Sequence, residues 1–412
     1  MYRLTNPILH YEWGSPTTIP DYLGTVADGK PHAEVWMGAH PSAPSLATNV
    51  AEESGGLAIP TAPLALSEVI AQDPRGTLGE SLAEQFGAQL PFLAKLLAAD
   101  KPLSLQVHPS RSRAQLQYRQ EEADKTPRSL RNYMDPNHKP ELLMALAPTL
   151  ALVGFRPAPD AASTFADLKS PAAARIADIL RGPGSTEKRV QAAFVECLAL
   201  SDAETEEILA DLPTPSDHLD PNKPLEIASA LAVYHQDPGA VASLLLNTVL
   251  LSPGEGLYVP SGVIHAYIQG FGLEVMASSD NVLRAGLTHK RVDREELLEA
   301  ASFTPQEPQV VAAEPLGEGT AVTYGYHTPE SDFSLRVIER AKPTSTGLDV
   351  PPTQISNPGA RILICLDGEL TVTSNHGSLR LRRGESAFVG ATDGVVDVSG
   401  AGRMAVVSAG CQ

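Results

Sequence analysis

Apolar and polar positions alternate through "PLSLQVHP", from Pro102 to Pro109. A period of two marks a half-buried strand, and it turns Ser104, Gln106 and His108 to one face. "YEWGS" and "AEVWMGAHPSAPS" are further short extended pieces bounded by Pro, Gly and Ser. Ahead of the Gln106 strand, "SLAEQFGAQLPFLAKLLAAD" carries the apolar spacing of helix, interrupted near Pro91, and this puts Lys95 on a helix. After His108, "RSRAQLQYRQEEAD" reads as helix with Ser110 as its cap.

The texture changes between residues 158 and 245. Segments such as "STEKRVQAAFVECLAL" and "SDAETEEILADL" are rich in Ala, Leu and Glu at helical spacing, and Ser201 with Glu204 reads as a capping box. From Thr248 the strand texture returns, and the last hundred residues are all β in pattern. There is a weak internal echo: "SPGEGLYVPSGVIHAY" and "RRGESAFVGATDGVVDV" share a turn, a glycine and a following strand. In the second copy Gly390 replaces a proline, and Val395 falls near where the histidine stands in the first. The pattern therefore predicts a mainly β protein with a helical insertion. Its parts are residues 1–157 and 246–315, forming one β domain, the insertion 158–245, and a C-terminal β domain 316–412.

Composition narrows the function classes. A chain of 412 residues is too long for a single core. No apolar run reaches the roughly 18 residues of a membrane span, and the start does not read as a secretory signal. Cys197, Cys365 and Cys411 are far apart with no CxxC spacing, which predicts reduced thiols and a cytoplasmic protein. The net charge of −18 argues against non-specific binding to nucleic acid or anionic membranes. It also means that an anionic substrate needs local cations.

Three segments carry residues suited to chemistry. The first is Gln106-x-His108. The second is "HKPELL", in which Pro140 pushes Lys139 toward extended geometry, so that Lys139 and Glu141 face one side. The third is "GEGLYVPSGVIHAYIQG". Here Gly254, Pro260, Gly262 and His265 match the second motif of the cupin family, Gly-x5-Pro-x-Gly-x2-His-x3-Asn, with Gln269 in place of the asparagine. The first cupin motif supplies His-x-His and a glutamate shortly after. The matching strand supplies Gln106-x-His108, no glutamate follows at that spacing, and Glu141 is the substitute.

Five stretches occur in order: "AEVWMGAHPSAPS", "KPLSLQVHPS", "DPNHKPELLMAL", "YVPSGVIHAYIQG" and "GLEVMASSDNVLRAGLTHKRVD". Together they resemble the type I mannose-6-phosphate isomerase family, also called phosphomannose isomerase. The resemblance runs from Trp13 to about Asp293 and includes the helical insertion; the C-terminal domain matches in texture only. It implies a cupin jelly-roll catalytic core, an α-helical domain and a second, degenerate cupin-like β domain without a site. No glycine-rich nucleotidyltransferase motif is found, against the bifunctional type II enzymes.

The resemblance implies one zinc ion per chain, held by Gln106, His108, Glu141 and His265, a donor set of nitrogen and oxygen that suits zinc. It implies reversible conversion of D-mannose 6-phosphate to D-fructose 6-phosphate through a cis-enediol, a step that serves GDP-mannose biosynthesis in one direction and mannose catabolism in the other. Arg284 matches the family's catalytic arginine. Lys139 is a candidate for phosphate contact or proton transfer, with Glu274 and Asp280 as alternative proton carriers. Lys95 and Ser104 are candidates for phosphate binding, and Glu34 is read as structural. Trp13 and Trp36 are read as packing, and His10, His32, His218, His235, His327 and His376 as surface or turn residues. The expected partner is a small sugar phosphate, with no nucleic acid or membrane and a monomeric state. Two other readings are a non-catalytic sugar-phosphate sensor and a metal-dependent cupin dioxygenase. The glutamine ligand, the late glutamate and the Lys139–Arg284 cations weigh against the dioxygenase.

Overall fold

One strand, His265–Ala277, organises the molecule. Near its start it pairs with Leu105–Val107 and Thr149–Phe155; from Gly270 onward it pairs with Phe92–Ala99 and Glu141–Ala145. The switch falls at a register shift between Tyr267 and Gln269. Beside it Gly270 takes a φ of 143° against Thr149, where a Cβ would lie 2.4 Å from the threonine Oγ1. A strand that belongs to two sheets closes them into a jelly-roll barrel.

The coordinates are a computed structural model that describes residues 1–50, 62–216, 218–317, 321–342, 350–356 and 359–410. Cys197 and Cys365 are buried and unbridged, whereas Cys411 lies outside the described residues. Among the described residues the strands form two 11-stranded systems. The second is built on Ser334–Arg340, Arg361–Ser374 and Val396–Ser408, and it also takes in Tyr2–Thr5 and Leu46–Asn49 from the start of the chain. Between Thr149–Phe155 and Leu246–Leu251 the chain forms helices from Ala158 to Ala242, with Ser201 and Glu204 making the reciprocal capping box. The fold is therefore mainly β with inserted helices, as the pattern predicted, and its barrels are the cupin domains that the resemblance implied.

One expectation fails. Lys95 is not on a helix: the helix Glu80–Phe86 ends at Gly87, and Phe92–Ala99 is a strand with all eight residues buried. Both faces of that strand are covered. Phe92, Ala94, Leu96 and Ala98 pack toward the C-terminal sheet, with Phe333, Leu335 and Ile362. Leu97 and Ala99 pack into the barrel with Leu143, Ala145, Val153 and Tyr267. A strand buried on both sides is apolar throughout, and periodicity alone does not separate it from a helix.

The helices cover the outer face of the site sheet. Leu105, Val107, Leu150 and Leu152 share a core with Phe165, Ile176 and Phe194. The Gln106 strand is thus apolar behind and polar in front. The barrel of the C-terminal domain is filled instead by apolar side chains such as Leu363, Leu370, Leu381 and Val398.

Candidate metal centre and active site

Strand register assembles the site. Gln106 lies opposite His265 on one side and opposite Arg284 on the other. On the second half of the long strand, Glu274 lies opposite Lys95, and Met276 opposite Glu141. His108 follows the end of its strand, where its carbonyl accepts from Gly262 N–H at 2.8 Å. Gly254 and Gly262 have φ of 93° and 87°, so the motif's glycines mark turns that other residues rarely make. Residues distant in sequence thus meet on one barrel face.

His108, Glu141 and His265 offer ligand atoms that all lie within 4.8 Å of one another, and each residue is buried. Nε2 of His108 is 3.2 Å from Glu141 Oε1, and Nε2 of His265 is 3.2 Å from Oε2. Each imidazole turns Nδ1 to a backbone carbonyl, Asn281 at 2.8 Å and Val263 at 3.0 Å. A carbonyl only accepts, so Nδ1 carries the hydrogen and Nε2 presents a lone pair. Burial, with Lys139 nearby, pushes His108 down to about 4, which keeps it neutral. Two lone pairs then face a carboxylate, whose Oε2 is buried without a hydrogen bond. Lys139 answers Oε1, but no donor among the described residues answers Oε2 beside the His265 ring, so the donor set fits a metal ion. The Gln106 amide, 3.4 Å from His265 Nε2, stands beside it.

Ionised groups surround the cluster. Lys139 Nζ donates to Glu141 Oε1 at 2.6 Å. Burial alone would raise the Glu141 pKa, but Lys139 and His108 outweigh it and hold the carboxyl well below its ordinary value. Lys95 lies 3.0 Å from Glu274 and 3.7 Å from Glu34, and 5.1 Å above the Trp36 ring. Burial would discharge Lys95, yet Glu274 and Glu34 keep it charged. Glu274 is pushed up, first by burial and then by Glu141. Glu34 also accepts from Trp36 Nε1 at 2.7 Å.

These groups open into a cavity of about 730 Å³ lined by Gln106, Lys139, Glu141, Ser104, Lys95 and Arg284 among others. Glu274 and Asp280 line it too. Asp280 is held by Ser42 Oγ at 2.8 Å and lies 3.5 Å from His40 Nε2. Arg284 is half-buried and makes no hydrogen bond or ion pair through its guanidinium among the described residues. Residues the sequence reading passed over also lie on this wall: Tyr267, Lys101, His289 and Lys290, with Tyr234 from the helical insertion; His10 and His235, read as surface or turn residues, line it too. Lys101, Tyr267, His289 and Lys290 all stand in quoted stretches of the sequence, so their place beside the motifs was legible there. His32, read as a surface or turn residue, is buried.

A double-cupin fold with a buried His–Glu–His cluster opening into a cation-lined cavity defines a cupin metalloenzyme. A family model for the phosphomannose isomerase type I catalytic domain matches residues 1–158, and one for the mannose-6-phosphate isomerase cupin domain matches residues 348–409. Mannose-6-phosphate isomerases of Escherichia coli K12 and Salmonella typhimurium LT2 are each 36% identical, across 99% of this chain and 99% of theirs. A crystal structure of zinc-bound mannose 6-phosphate isomerase aligns with a TM-score of 0.85 at 34% identity, covering 100% of this chain and 99% of that one. A second, holding zinc and yttrium, aligns at 0.85 and 35%, covering 100% of each. The chain belongs to the type I mannose-6-phosphate isomerase family.

Proposed function

We propose that this chain is an aldose–ketose isomerase that interconverts D-mannose 6-phosphate and D-fructose 6-phosphate at a zinc ion held by Gln106, His108, Glu141 and His265. The observation that carries it is the His108–Glu141–His265 cluster opening into a cavity lined by the Arg284 guanidinium, unpaired among the described residues. Two neutral imidazoles, one carboxylate and one amide leave a site of net charge near +1, and a bound zinc supplies stabilisation of a developing enediolate.

Arg284, opposite Gln106 in the sheet, is assigned to the substrate's anionic oxygens, and Lys290 stands beside it at the rim. Ser104 and Lys95 complete the substrate wall. The proton passing between C2 and C1 is assigned to Glu274, a carboxyl on the cavity wall whose pKa burial raises, which favours its taking up a proton. Lys139 is assigned to the substrate oxygen that changes charge, and Asp280 to orienting the sugar from the opposite wall. Phosphate held far from the reacting carbons provides binding energy for positioning. The free, buried thiols of Cys197 and Cys365 support a cytoplasmic setting.

The test is isomerisation of mannose 6-phosphate, coupled to detection of fructose 6-phosphate, before and after chelation. Loss on chelation and recovery with zinc is expected. Zinc-replete protein that binds the sugar phosphate without turning it over would favour a sensor.

A further inference from the structure

Two segments meet at the mouth of the cavity. One is the end of the helical insertion, where Tyr234 and His235 face the opening. The other is the turn Gly286–Lys290, directly after the Arg284 strand. Asp237 joins them. Its Oδ1 accepts from the backbone N–H of Gly239 at 2.7 Å and of Leu287 at 3.1 Å; its Oδ2 accepts from Thr288 N–H at 3.0 Å. Leu287 has a φ of 53°, in the left-handed region that a leucine seldom occupies. Such backbone persists only where its surroundings over-determine it.

The packing beneath Asp237 is equally close. A Cβ on Gly239 would lie 2.5 Å from Leu287 N, and one on Gly286 would lie 2.6 Å from Gly239 Cα. The insertion and the turn therefore touch backbone to backbone, and the carboxylate closes the contact. What this turn presents is Lys290. Lys290 and Arg284 line the same cavity, and partial burial and the charge of Arg284 both lower the Lys290 pKa. Among the described residues neither side chain has an ion-pair partner, in a protein of net charge −18. Holding two unpaired cations together is unfavourable unless an anion is expected there.

We infer that Asp237 is a positioning residue that fixes the 286–290 turn, so that Lys290 and Arg284 receive the substrate's phosphate together. This rests on the reading of the cavity as a sugar-phosphate site. Asp237 does not touch the substrate; it acts through the backbone of Leu287 and Thr288. The helical insertion then has a function in the reaction beyond covering the sheet: it sets the anion subsite.

The test uses zinc-loaded full-length protein and compares Asp237→Asn, Asp237→Ala and Lys290→Ala. Asparagine keeps the volume and one acceptor but turns an N–H toward the backbone N–H groups. For Asp237→Asn, KM for mannose 6-phosphate should rise about tenfold, as loss of one well-aimed charged contact produces. The inhibition constant for inorganic phosphate should rise in parallel, while kcat stays within about threefold and zinc content is unchanged. Asp237→Ala should show the same split more strongly; if it does not fold, Asp237→Asn still decides. If Lys290→Ala raises both constants but Asp237→Asn only lowers the melting temperature, Asp237 is merely structural and the inference falls alone. If Lys290→Ala changes neither constant, the phosphate reading of this subsite falls, and the inference with it.

Discussion

Asn281 is the residue whose removal should reveal how the metal cluster is held. It is fully buried, at 0% exposure. Its Oδ1 accepts from Met134 N–H at 2.7 Å, and its Nδ2 donates to the carbonyls of Asp135 at 2.7 Å and Asn137 at 2.8 Å. Its own carbonyl is the acceptor that sets the His108 ring. Asn281→Ala strands the part-buried N–H of Met134 and removes the donor from two part-buried carbonyls. An unpaired buried N–H costs about 1–3 kcal/mol, and a carbonyl, with a second lone pair to use, somewhat less. With those partners only part-buried, the expected loss is about 2–3 kcal/mol in urea unfolding, a sizeable share of the roughly 5–15 kcal/mol that holds a typical fold. The 134–137 loop leads into Lys139 and Glu141, so the metal should suffer as well. Groups behind metal ligands are typically worth about 10–100-fold in affinity, which competition with a chromophoric chelator would read. Asn281→Asp tests the direction of the bonds, since it keeps the volume but turns acceptors toward both carbonyls. A stability loss below about 1 kcal/mol with unchanged chelator competition would refute the reasoning, because water would then replace the amide.

Glu141→Gln should leave Lys139 buried without its counter-charge and weaken metal binding by more than the roughly 10–100-fold expected for a group behind the ligands; chelator competition at wild-type strength would remove Glu141 from the metal set. Arg284→Ala should keep fold and metal while kcat/KM falls by the several kcal/mol that a lost oxyanion contact costs, about 100-fold or more in a coupled assay. Asp332 lies 2.7 Å from Arg111 and 3.0 Å from His138, and these partners outweigh burial and hold its carboxyl below the ordinary value. A depressed folded pKa contributes stability that is present above about pH 3.9 and is lost as pH falls through the folded value. Asp332→Asn should therefore destabilise by about 1–3 kcal/mol at pH 7, with Arg111 partly exposed, and by much less near pH 3. Equal differences in melting temperature at both pH values would count against that pairing.

Much of the metal centre was legible because its residues sit on short local signals. The alternation in "PLSLQVHP" turns Gln106 and His108 one way, and Pro140 sets Lys139 and Glu141 on one side, 2.6 Å apart in the fold. Gly254 and Gly262, the motif's turn glycines, both take positive φ. Lys95 was misplaced because "FLAKLLAA" has no polar face to betray its period. The role of Asn281 left no trace in the pattern either, since its partners are backbone groups of a loop far away in the chain.

Local chemistry along the chain was enough to specify the ligand types, the turns that present them, the helical texture of the insertion and the negative charge that any bound phosphate must overcome. Which residues meet was decided only by the three-dimensional pairing. The two-sheet strand His265–Ala277 sets His265 against Gln106 and Glu274 against Lys95, and the insertion reaches back to the Arg284 strand through Asp237. The physical reason is range. Side-chain alternation, proline restriction and glycine turns act over a few residues. Register between distant strands, and the burial that shifts a pKa, exist only once the barrel has closed.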